Sequence, residues 1–466
     1  MTRTWGGEVW FGLDEEFDPQ WFLSDEQKAL QEELITVCHD VLRPNAIEAD
    51  RNNVYPHKNV EALAKLRLLG ALAPKKYGCR GENNVGITMI AETIARYGCP
   101  STALIYMMHM VAVAGLVYRA HGNAEIQKLL SRIDADCLIG TASYTDPETG
   151  GHFWYPKTSG AKRVDDGWHV FKKAAWTTSS GFAKWYITQT TSPDFKGDYS
   201  DLSVFLFYAD EVKGSPGKWD AMGMHGNQSG PVEIDSVVPE NRMVGPRGDG
   251  ARSNDEAIDP LAMLMYAGSY NGLALGCIDL AKRHVTRKAH VQFGRRVADY
   301  PTTQDSFGRA VMEVEASRLS AYSLAKAIDD ATENGSWEIY ERDPEAMPRA
   351  KFAHWCFQLK YLSTKAASEL SDKMLQTCGG RGYMSDLGLE RLVRDSKAGW
   401  VMGPSNEVTS QLVGKWALFG ANSLDWWNQK VDEPVLMNEL GKLDAQGKMK
   451  IIDKLTAELN PAPTAE

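Results

Sequence analysis

A few side chains in this sequence could transfer a proton within otherwise apolar surroundings. His109 lies in the run STALIYMMHMVAVAGL, residues 101–116, and a neutral imidazole among methionines could act as a base near pH 7. A core histidine that is hydrogen-bonded to a backbone carbonyl would have the same sequence. Glu256 and Asp259 precede a long apolar stretch, where acidic residues usually cap the first turn of a helix. Either could be a cap or a base.

Two polar stretches could hold a planar ligand. In YTDPETGGH, residues 144–152, a threonine hydroxyl and two glycines would let backbone N–H groups approach the polar edge of a ring. In KKAAWTTSS, residues 172–180, Trp176 offers a flat apolar face and Thr178 a hydroxyl that can donate or accept. Taken alone, the first stretch could also be a turn between strands, and the second could contain a buried tryptophan of a sheet sandwich.

The overall composition is that of a globular protein with enough material for two or three domains. The chain has 466 residues, a net charge of −10 and a pI of about 5.6, and its Lys and Arg residues are spread rather than clustered. We therefore expect no nucleic acid and no membrane as partners, but a small molecule. Seven cysteines without a Cys-x-x-Cys pair predict reduced thiols, no metal site and a cytoplasmic location.

The periodicity of apolar residues divides the chain into helical and β-rich parts. Helical spacing begins after Ser24, a candidate N-cap, and short β-prone runs separated by turn residues replace it near residue 138. Long stretches with wide apolar faces return near residue 249, as in an antiparallel bundle. The predicted divisions are an N-terminal extension, a helical domain, a small β domain, a helical bundle and a C-terminal extension: 1–24, 25–137, 138–248, 249–420 and 421–466.

Four stretches in this order resemble motifs of the acyl-CoA dehydrogenase superfamily of flavoproteins. They are YTDPETGGH (144–152), KKAAWTTSSGFAKWYI (172–187), WDAMGMHGNQSGPVEIDSVVPENRMVG (219–245) and QTCGGRGYMSDLGLERLVRDSKAGWVMGPSNEV (376–408). The resemblance covers most of residues 25–420, and its last stretch is the most specific. It implies the acyl-CoA dehydrogenase-like fold, with an N-terminal helical domain, a middle β domain and a C-terminal four-helix bundle.

The resemblance also implies a flavin, FAD with FMN as the alternative. By the alignment, Trp176 lies on the ring, Thr178 bonds near its reactive nitrogen, and the 144–151 turn meets the ring. The paired glycines of the 376–408 stretch would approach a flavin held mostly by another subunit, which implies an oligomer, expected to be a homotetramer. The implied flavin-binding residues are Tyr144, Thr145, Gly150, Gly151, Trp176, Thr177, Thr178, Arg287, His290, Phe293, Gln304, Gln376, Gly379, Gly380, Ser405 and Glu407.

One cofactor contact departs from the family pattern. The stretch TRKAHVQFGRR, residues 286–296, stands where the family has Arg-x-x-Phe-Gly, and counting back from Phe293 places His290 at the arginine. A pyrophosphate needs a cation or several N–H donors, so a neighbouring basic residue should supply the charge. The candidates are Arg287, His290, Arg295 and Arg296.

Both positions at which the family carries its catalytic glutamate lack a carboxylate in this chain. Gly403 stands at the usual position and Ala262 at the alternative one, and neither can accept a proton. Met263 replaces an arginine that helps to hold CoA in relatives. The leading candidate base is therefore His109, on a helix that lines the substrate cavity in relatives, with Glu256 or Asp259 as displaced alternatives.

The predicted activity is a flavin-dependent oxidation of an acyl thioester such as acyl-CoA, or of a related small substrate, with a non-standard base. One alternative is a reduced-flavin monooxygenase on the same fold, which needs no α-proton base. Another is a degenerate subunit that completes the cofactor site of a hetero-oligomeric dehydrogenase. The expected protein partner is an electron acceptor or a flavin reductase.

Overall fold

The computed structural model describes residues 19–150, 152, 154–420 and 433–459. Backbone contacts group the chain into a unit of residues 1–413 and a unit of residues 414–466. These contacts do not divide the first unit at the predicted domain boundaries, so those boundaries stay a prediction. Gly151 and most of the predicted N-terminal extension lie outside the described residues.

The N-terminal part of the first unit is helical. Its helices are α1 (Asp25–Val37), α2 (Arg43–Asn52), α3 (His57–Lys65), α4 (Asn84–Thr93), α5 (Pro100–Tyr118) and α6 (Ala124–Arg132). Ser24 caps α1 as predicted: its hydroxyl accepts from the Gln27 N–H, and the Gln27 side chain accepts from the Ser24 N–H. Helix α3 is shorter than the apolar spacing over residues 59–72 predicts, because Arg67 adopts a left-handed conformation with φ 57°.

The middle part of the chain forms two sheets. Its strands are β1 (Gly140–Ser143), β2 (Ser159–Val164), β3 (Gly167–Ala174), β4 (Trp185–Thr191), β5 (Leu202–Tyr208), β6 (Val212–Gly214) and β7 (Val232–Val238). One sheet has the order β1-β4-β5, with β1 parallel to β4, and the other is antiparallel with the order β2-β3-β7-β6. Val170 of the second sheet and Phe205 of the first are fully buried in one apolar cluster, so the two sheets share a core.

The C-terminal part of the first unit is a helical bundle. Its elements are α7 (Gly250–Ser253), α8 (Asp259–Arg287), the hairpin β8 (Ala289–His290) and β9 (Arg295–Arg296), α9 (Pro301–Ala331), α10 (Ile339–Arg342), α11 (Ala353–Cys378), α12 (Gly380–Tyr383) and α13 (Leu389–Val401). Helix α8 packs against α9, α11 and α13, and also against α4 and α5 of the N-terminal part. The described elements that follow are α14 (Asn406–Phe419), α15 (Glu433–Gly441) and α16 (Ala445–Leu459). The predicted order of helices, β domain and helical bundle is confirmed.

Two helical segments are long and apolar enough to cross a membrane by length and composition. They are α5 and residues 250–287, and 94% and 100% of their most apolar windows are buried inside the protein. A buried apolar helix is what the core of a large helical protein requires. These segments are therefore core helices, and α8 is the helix around which the bundle and the N-terminal part meet.

A buried ion pair joins the N-terminal helices to the bundle. Arg318 of α9 donates from Nε and Nη2 to the two carboxylate oxygens of Glu92 in α4, at 2.9 and 2.7 Å. The exposed fractions of the two side chains are only 4% and 3%. Arg318 also donates to Glu315, whose side chain is 18% exposed. The guanidinium thus has one fully buried and one more accessible carboxylate partner.

Glu92→Gln should destabilise the protein strongly, because it leaves a buried guanidinium without its closest counter-charge. We expect a loss of about 3 kcal/mol in the free energy of unfolding, measured by urea denaturation followed by circular dichroism. Glu315→Gln is the matched control, since it removes the more accessible partner of the same arginine, and should cost less than about 1 kcal/mol. Equal losses in the two variants would contradict this account.

Candidate active site

A cavity of about 430 Å³ is lined by residues of α5, the β domain, the start of α8 and the end of α13. Five of the predicted flavin-binding residues line it: Tyr144, Thr145, Gly150, Trp176 and Thr178. They come from two chain segments that the β domain brings together, since β1 leads into the first and β3 into the second. The structure therefore places the two polar stretches singled out in the sequence on one wall of one cavity.

A threonine hydroxyl ties these two segments to each other. The hydroxyl of Thr145 donates to the backbone carbonyl of Trp176 at 2.9 Å and accepts from its N–H at 3.4 Å. Behind the turn, the buried Lys172 of β3 donates to the carbonyl of Tyr144 at 3.3 Å. Burial lowers the pKa of Lys172 to about 8, and the charge of Asp146 opposes that shift. The turn and the tryptophan segment are thus held as one wall.

Asp146 fixes the shape of the turn from inside. Its side chain is buried, with Oδ1 accepting from the Glu148 N–H at 3.0 Å and Oδ2 accepting from the Thr158 N–H at 2.7 Å. The backbone of Gly150 has φ 56°, a left-handed conformation that favours glycine. Hydrogen bonds within the protein therefore hold this turn in shape without a bound ligand.

The side chains on this wall fit a flavin. Trp176 leaves 63% of its surface exposed, which gives a planar ring system a flat apolar face to lie against. The Thr178 hydroxyl is 3.0 Å from that of Ser229, and either group can donate or accept toward a ring heteroatom. Trp219, Asn227 and Ser229 of the 219–245 stretch also line the cavity, and none of them is among the residues predicted to bind the flavin. The polar and aromatic content of this stretch was the signal that could have identified them.

The other predicted flavin-binding residues that the structure describes are not among the cavity-lining residues. Thr177 is buried, and its hydroxyl is 2.8 Å from that of Ser143, so its role is structural. The remaining predicted residues are exposed or partly exposed: Arg287, His290, Phe293, Gln304, Gln376, Gly379, Gly380, Ser405 and Glu407. A role for these residues toward the flavin of another subunit stays a prediction.

The side chains of three of these surface residues already have local partners, among them Gln304, whose Nε2 donates to the Ala298 carbonyl at 3.2 Å. His290 Nδ1 is 3.0 Å from the hydroxyl of Tyr300, and the Ser405 hydroxyl accepts from the Val408 N–H at 3.3 Å. Ser405 therefore acts as a cap at the start of α14. Arg296 is exposed and donates from Nε and Nη2 to the Asp299 carboxylate, and Arg287 and Arg295 are exposed. Pyrophosphate binding by Arg287, His290, Arg295 or Arg296 stays a prediction.

The prediction that His109 is the base is wrong, because its imidazole belongs to the core. Its Nε2 donates to the carbonyl of Leu69 at 2.9 Å, and its Nδ1 accepts from the Gly140 N–H at 2.8 Å. The side chain is fully buried, and burial lowers its pKa to about 4. Its neighbours Met108 and Val111 line the cavity instead. With both nitrogens engaged, His109 has no site at which to accept a substrate proton.

Glu256 is also excluded as a base by its hydrogen bonds. One carboxylate oxygen accepts from the Tyr340 hydroxyl, and the backbone N–H groups of Arg349 and Ala350 donate at 2.9 Å each. The side chain is completely buried. A carboxylate with both oxygens occupied anchors the segment before α11 and does not face the cavity.

Asp259 is the one buried carboxylate among the described residues that line the cavity; the other, Asp220, is exposed. Asp259 is 3% exposed, and its Oδ2 accepts from Trp154 Nε1 at 3.4 Å. Its Oδ1 has no hydrogen-bond partner in the described part of the chain. Burial, followed by the charge of Asp255, raises the pKa of Asp259 well above its ordinary value. The sequence offers Asp259 as a helix cap or a displaced base. It makes no capping hydrogen bond at the start of α8 in the described residues, and the role of displaced base stays a prediction.

The opposite wall is a bend that a buried lysine holds in place. Lys360 of α11 donates from Nζ to the carbonyls of Gly399 and Pro404, at 2.9 and 2.7 Å, and to the Asn406 side chain at 2.8 Å. Burial lowers the pKa of Lys360 to about 7, which the charge of Glu407 opposes. The bend presents Gly403 to the cavity, and Ala262 lines it from α8. Both family base positions thus face the cavity without a proton acceptor.

Comparison with known proteins places these features in a family. Family models match two parts of the chain, acyl-CoA dehydrogenase N-terminal domain over residues 24–133 and C-terminal domain over residues 248–418. The chain is 26% identical to cyclohex-1-ene-1-carbonyl-CoA dehydrogenase of Geobacter metallireducens, covering 85% of this chain and 99% of that protein. It is 24% identical to glutaryl-CoA dehydrogenase of Desulfococcus multivorans, covering 84% and 96%.

A solved structure supports the same fold. The glutaryl-coenzyme A dehydrogenase glutaryl-CoA complex matches with a TM-score of 0.75 and 24% identity, over 85% of this chain and 96% of the other. At that identity the likeness establishes the fold alone. It agrees with the helical, β and helical parts described above.

Lys360→Met should loosen the bend that forms one cavity wall. The substitution removes a donor to four acceptors, the carbonyls of Gly399, Met402 and Pro404 and the Asn406 side chain. It leaves buried carbonyls unsatisfied, so we expect a loss of at least about 2 kcal/mol in stability. Thermal unfolding and the amount of flavin retained after purification would both fall. Lys365→Met on the exposed side of α11, where the lysine side chain is 48% exposed, is the control. Unchanged flavin retention in Lys360→Met would contradict the role assigned to the bend.

The raised pKa of Asp259 predicts a pH-dependent stability difference. A carboxyl whose folded-state pKa lies above its unfolded value contributes stability at low pH that is lost as pH rises through the folded pKa. The Tm of Asp259→Asn minus that of the wild type should therefore grow from pH 4 to pH 8. Asp220→Asn, on an exposed residue of the same cavity, controls for loss of a charge. A difference that stays flat with pH for Asp259→Asn would show that its carboxyl is not perturbed.

Proposed function

Because this chain belongs to the acyl-CoA dehydrogenase family, whose members are FAD-dependent oxidoreductases, we propose that it dehydrogenates acyl thioesters. The observation that carries the proposal is the single cavity in which a flavin-binding wall and an apolar chamber meet. Relatives described as dehydrogenases of CoA esters support the same reaction class. The proposal includes a cytoplasmic homotetramer, an acyl-CoA substrate and an electron-transferring flavoprotein as electron acceptor.

The apolar part of the cavity suits an acyl chain. Met108 and Val111 contribute from α5, and Ile258, Ala262 and Met263 contribute from the start of α8. An apolar chamber with few polar groups binds by excluding water from a hydrocarbon chain. Met263 at the place of a CoA-side arginine means that the thioester would be held mainly by its acyl group.

The polar wall suits the cofactor. Bound FAD supplies the acceptor for the hydride that leaves the β-carbon of the acyl group. Trp176 would lie against the ring, while Thr178 and the 144–150 turn would donate to and accept from its polar edge. The wall keeps this orientation because the Thr145 hydroxyl bonds the turn to the tryptophan segment.

One observation favours a second candidate function. Neither Gly403 nor Ala262 can accept a proton, and a reduced-flavin monooxygenase on this fold would need no base at either position. That enzyme would insert oxygen into a small organic substrate after a separate reductase had supplied the electrons. It is distinguished from the dehydrogenase by whether the substrate itself reduces the cofactor.

The purified chain should be yellow, and an acyl-CoA should bleach its visible flavin absorbance in the absence of oxygen, because the substrate is the reductant. A panel of short-, medium- and branched-chain acyl-CoAs, with free CoA as the blank, tests this by anaerobic spectrophotometry. Bleaching by at least one ester is expected. Absence of bleaching with every ester, together with oxygen-dependent hydroxylation when a reductase is supplied, would favour the monooxygenase.

A pair of variants checks that the flavin lies on the proposed wall. Trp176→Leu removes the exposed face on the cavity and should lower the flavin content of the purified protein. Trp355 is a matched control residue, since it is 59% exposed against 63% for Trp176 but does not line the cavity. The Trp355→Leu variant should therefore retain flavin. A colourless wild-type chain that takes up flavin only with a second protein would support the degenerate-subunit alternative.

A further inference from the structure

We propose that Asp259 is the catalytic base that removes the α-proton of the acyl thioester, an inference that rests on the proposed function. The reaction needs a proton acceptor beside the acyl group, and both positions that the family uses are empty of one. Asp259 is the buried carboxylate on the cavity lining, and its Oδ1 has no hydrogen-bond partner in the described part of the protein.

The position of Asp259 on α8 explains how it can replace the alternative family position. Asp259 precedes Ala262 by three residues, and residues three apart lie on the same face of a helix, one turn from each other. Both residues line the same cavity. A carboxylate one turn earlier therefore reaches the same space as a glutamate at 262 would from further along the helix.

The other proton acceptors near this face are engaged elsewhere. Both oxygens of Glu256 accept hydrogen bonds in the core, and both nitrogens of His109 are bonded to backbone groups. Asp220 lines the cavity but is exposed, so water would compete with a substrate for its carboxylate. Asp259 combines burial, cavity lining and an unoccupied oxygen, and none of these three residues does so.

A tryptophan holds the carboxylate in one orientation. Trp154 is 2% exposed and donates from Nε1 to Oδ2 of Asp259 at 3.4 Å, which leaves Oδ1 for the substrate. The Trp154 ring also meets Phe357 of α11 edge-on, with ring centroids 6.4 Å apart. Since Trp154 follows the 144–152 turn, the same chain segment that forms the flavin wall also orients the proposed base. Trp154 is thus a positioning residue.

The environment of Asp259 suits the abstraction of a weakly acidic proton. Burial and the charge of Asp255 raise its pKa, so its carboxylate is a stronger base than an exposed aspartate. A buried carboxyl with an unpaired oxygen is unfavourable for folding, and such groups persist where function needs them. The basicity of the Asp259 carboxylate and its unpaired oxygen both support Oδ1 as the proton acceptor.

The proposed step is balanced. The Cα–H bond breaks and its proton passes to Oδ1 of Asp259, which becomes a neutral carboxylic acid. The electron pair of that bond would form the double bond between Cα and Cβ as the hydride leaves Cβ, for which FAD, when bound, would supply the two-electron acceptor. The product is an α,β-unsaturated thioester, and the proton on Asp259 returns to solvent after product release.

Exchange of the α-protons separates the base from the redox reaction. The probe is 3,3-dimethylbutanoyl-CoA, which carries α-protons but has no hydrogen on Cβ to transfer. Incubated with the holoenzyme in D2O, the wild type should incorporate deuterium at Cα, measured by mass spectrometry. Asp259→Asn should slow this exchange at least about 100-fold, because a general base contributes factors of this size. Its flavin content should stay at the wild-type level.

Asp255→Asn is the matched control. It neutralises a carboxylate one turn earlier on the same helical segment, outside the cavity lining, whose charge raises the pKa of Asp259. Deuterium incorporation should therefore persist, with its pH dependence moved to lower pH, and not be lost as in Asp259→Asn. Should Asp259→Asn fail to fold, Asp259→Ala supplies the same test, judged by flavin content and thermal unfolding. Exchange at the wild-type rate in a folded, flavin-loaded Asp259 variant would overturn the assignment.

The proposed function and this assignment can fail separately. If acyl-CoAs bleach the wild type and also bleach Asp259→Asn at the same rate, the dehydrogenase stands and Asp259 is not its base. If no acyl-CoA bleaches the wild type and no α-exchange occurs, both proposals are wrong. Bleaching and exchange in the wild type, with loss of both in Asp259→Asn, is the result expected here.

Discussion

The shape of the candidate site depends on one buried amine. Lys360 lies fully inside the bundle, and a buried amine requires acceptors. The carbonyls of Gly399 and Pro404 and the amide of Asn406 supply them, so the chain after α13 is drawn inward around the lysine. That inward bend is the wall that presents Met402 and Gly403 to the cavity. Without this interaction the bend that carries these two residues would lose the donor that holds it.

The cavity keeps the residue types that the family uses to bind a flavin, but it lacks a carboxylate at the usual base positions. The turn with Thr145, the exposed Trp176 and Thr178 preserve what a flavin needs, and their hydrogen bonds hold that wall together. The usual base positions are apolar, while Asp259 carries a carboxylate in a place that is unfavourable for charge. Such a combination fits a site in which the cofactor stayed constant and the proton acceptor moved by one helical turn.

Much of the fold was predictable from local patterns. The β-prone runs GWHVFKK, KWYITQT, SVFLFYA and PVEIDSVVP correspond to β3, β4, β5 and β7, and Ser24 caps α1 as predicted. Strands β1, β2 and β6 were missed, because two are very short and β2 contains Ser, Gly, Lys and Arg in place of β-branched and aromatic residues. These strands are stabilised by their neighbours in the sheets, which a local pattern cannot show.

The sequence by itself determined the family resemblance, the flavin-facing stretches and the loss of both usual bases, since each is a matter of residue type at a motif position. Only the tertiary structure decided among His109, Glu256 and Asp259. His109 stands in an apolar run and the two acids in the polar stretch SNDEAID, residues 253–259, and their chemistry is decided by what packs against them. The side chains of His109 and Glu256 are hydrogen-bonded to backbone groups of distant segments. Asp259 lines the cavity, and its Oδ2 accepts from Trp154 while its Oδ1 has no hydrogen-bond partner in the described part of the chain.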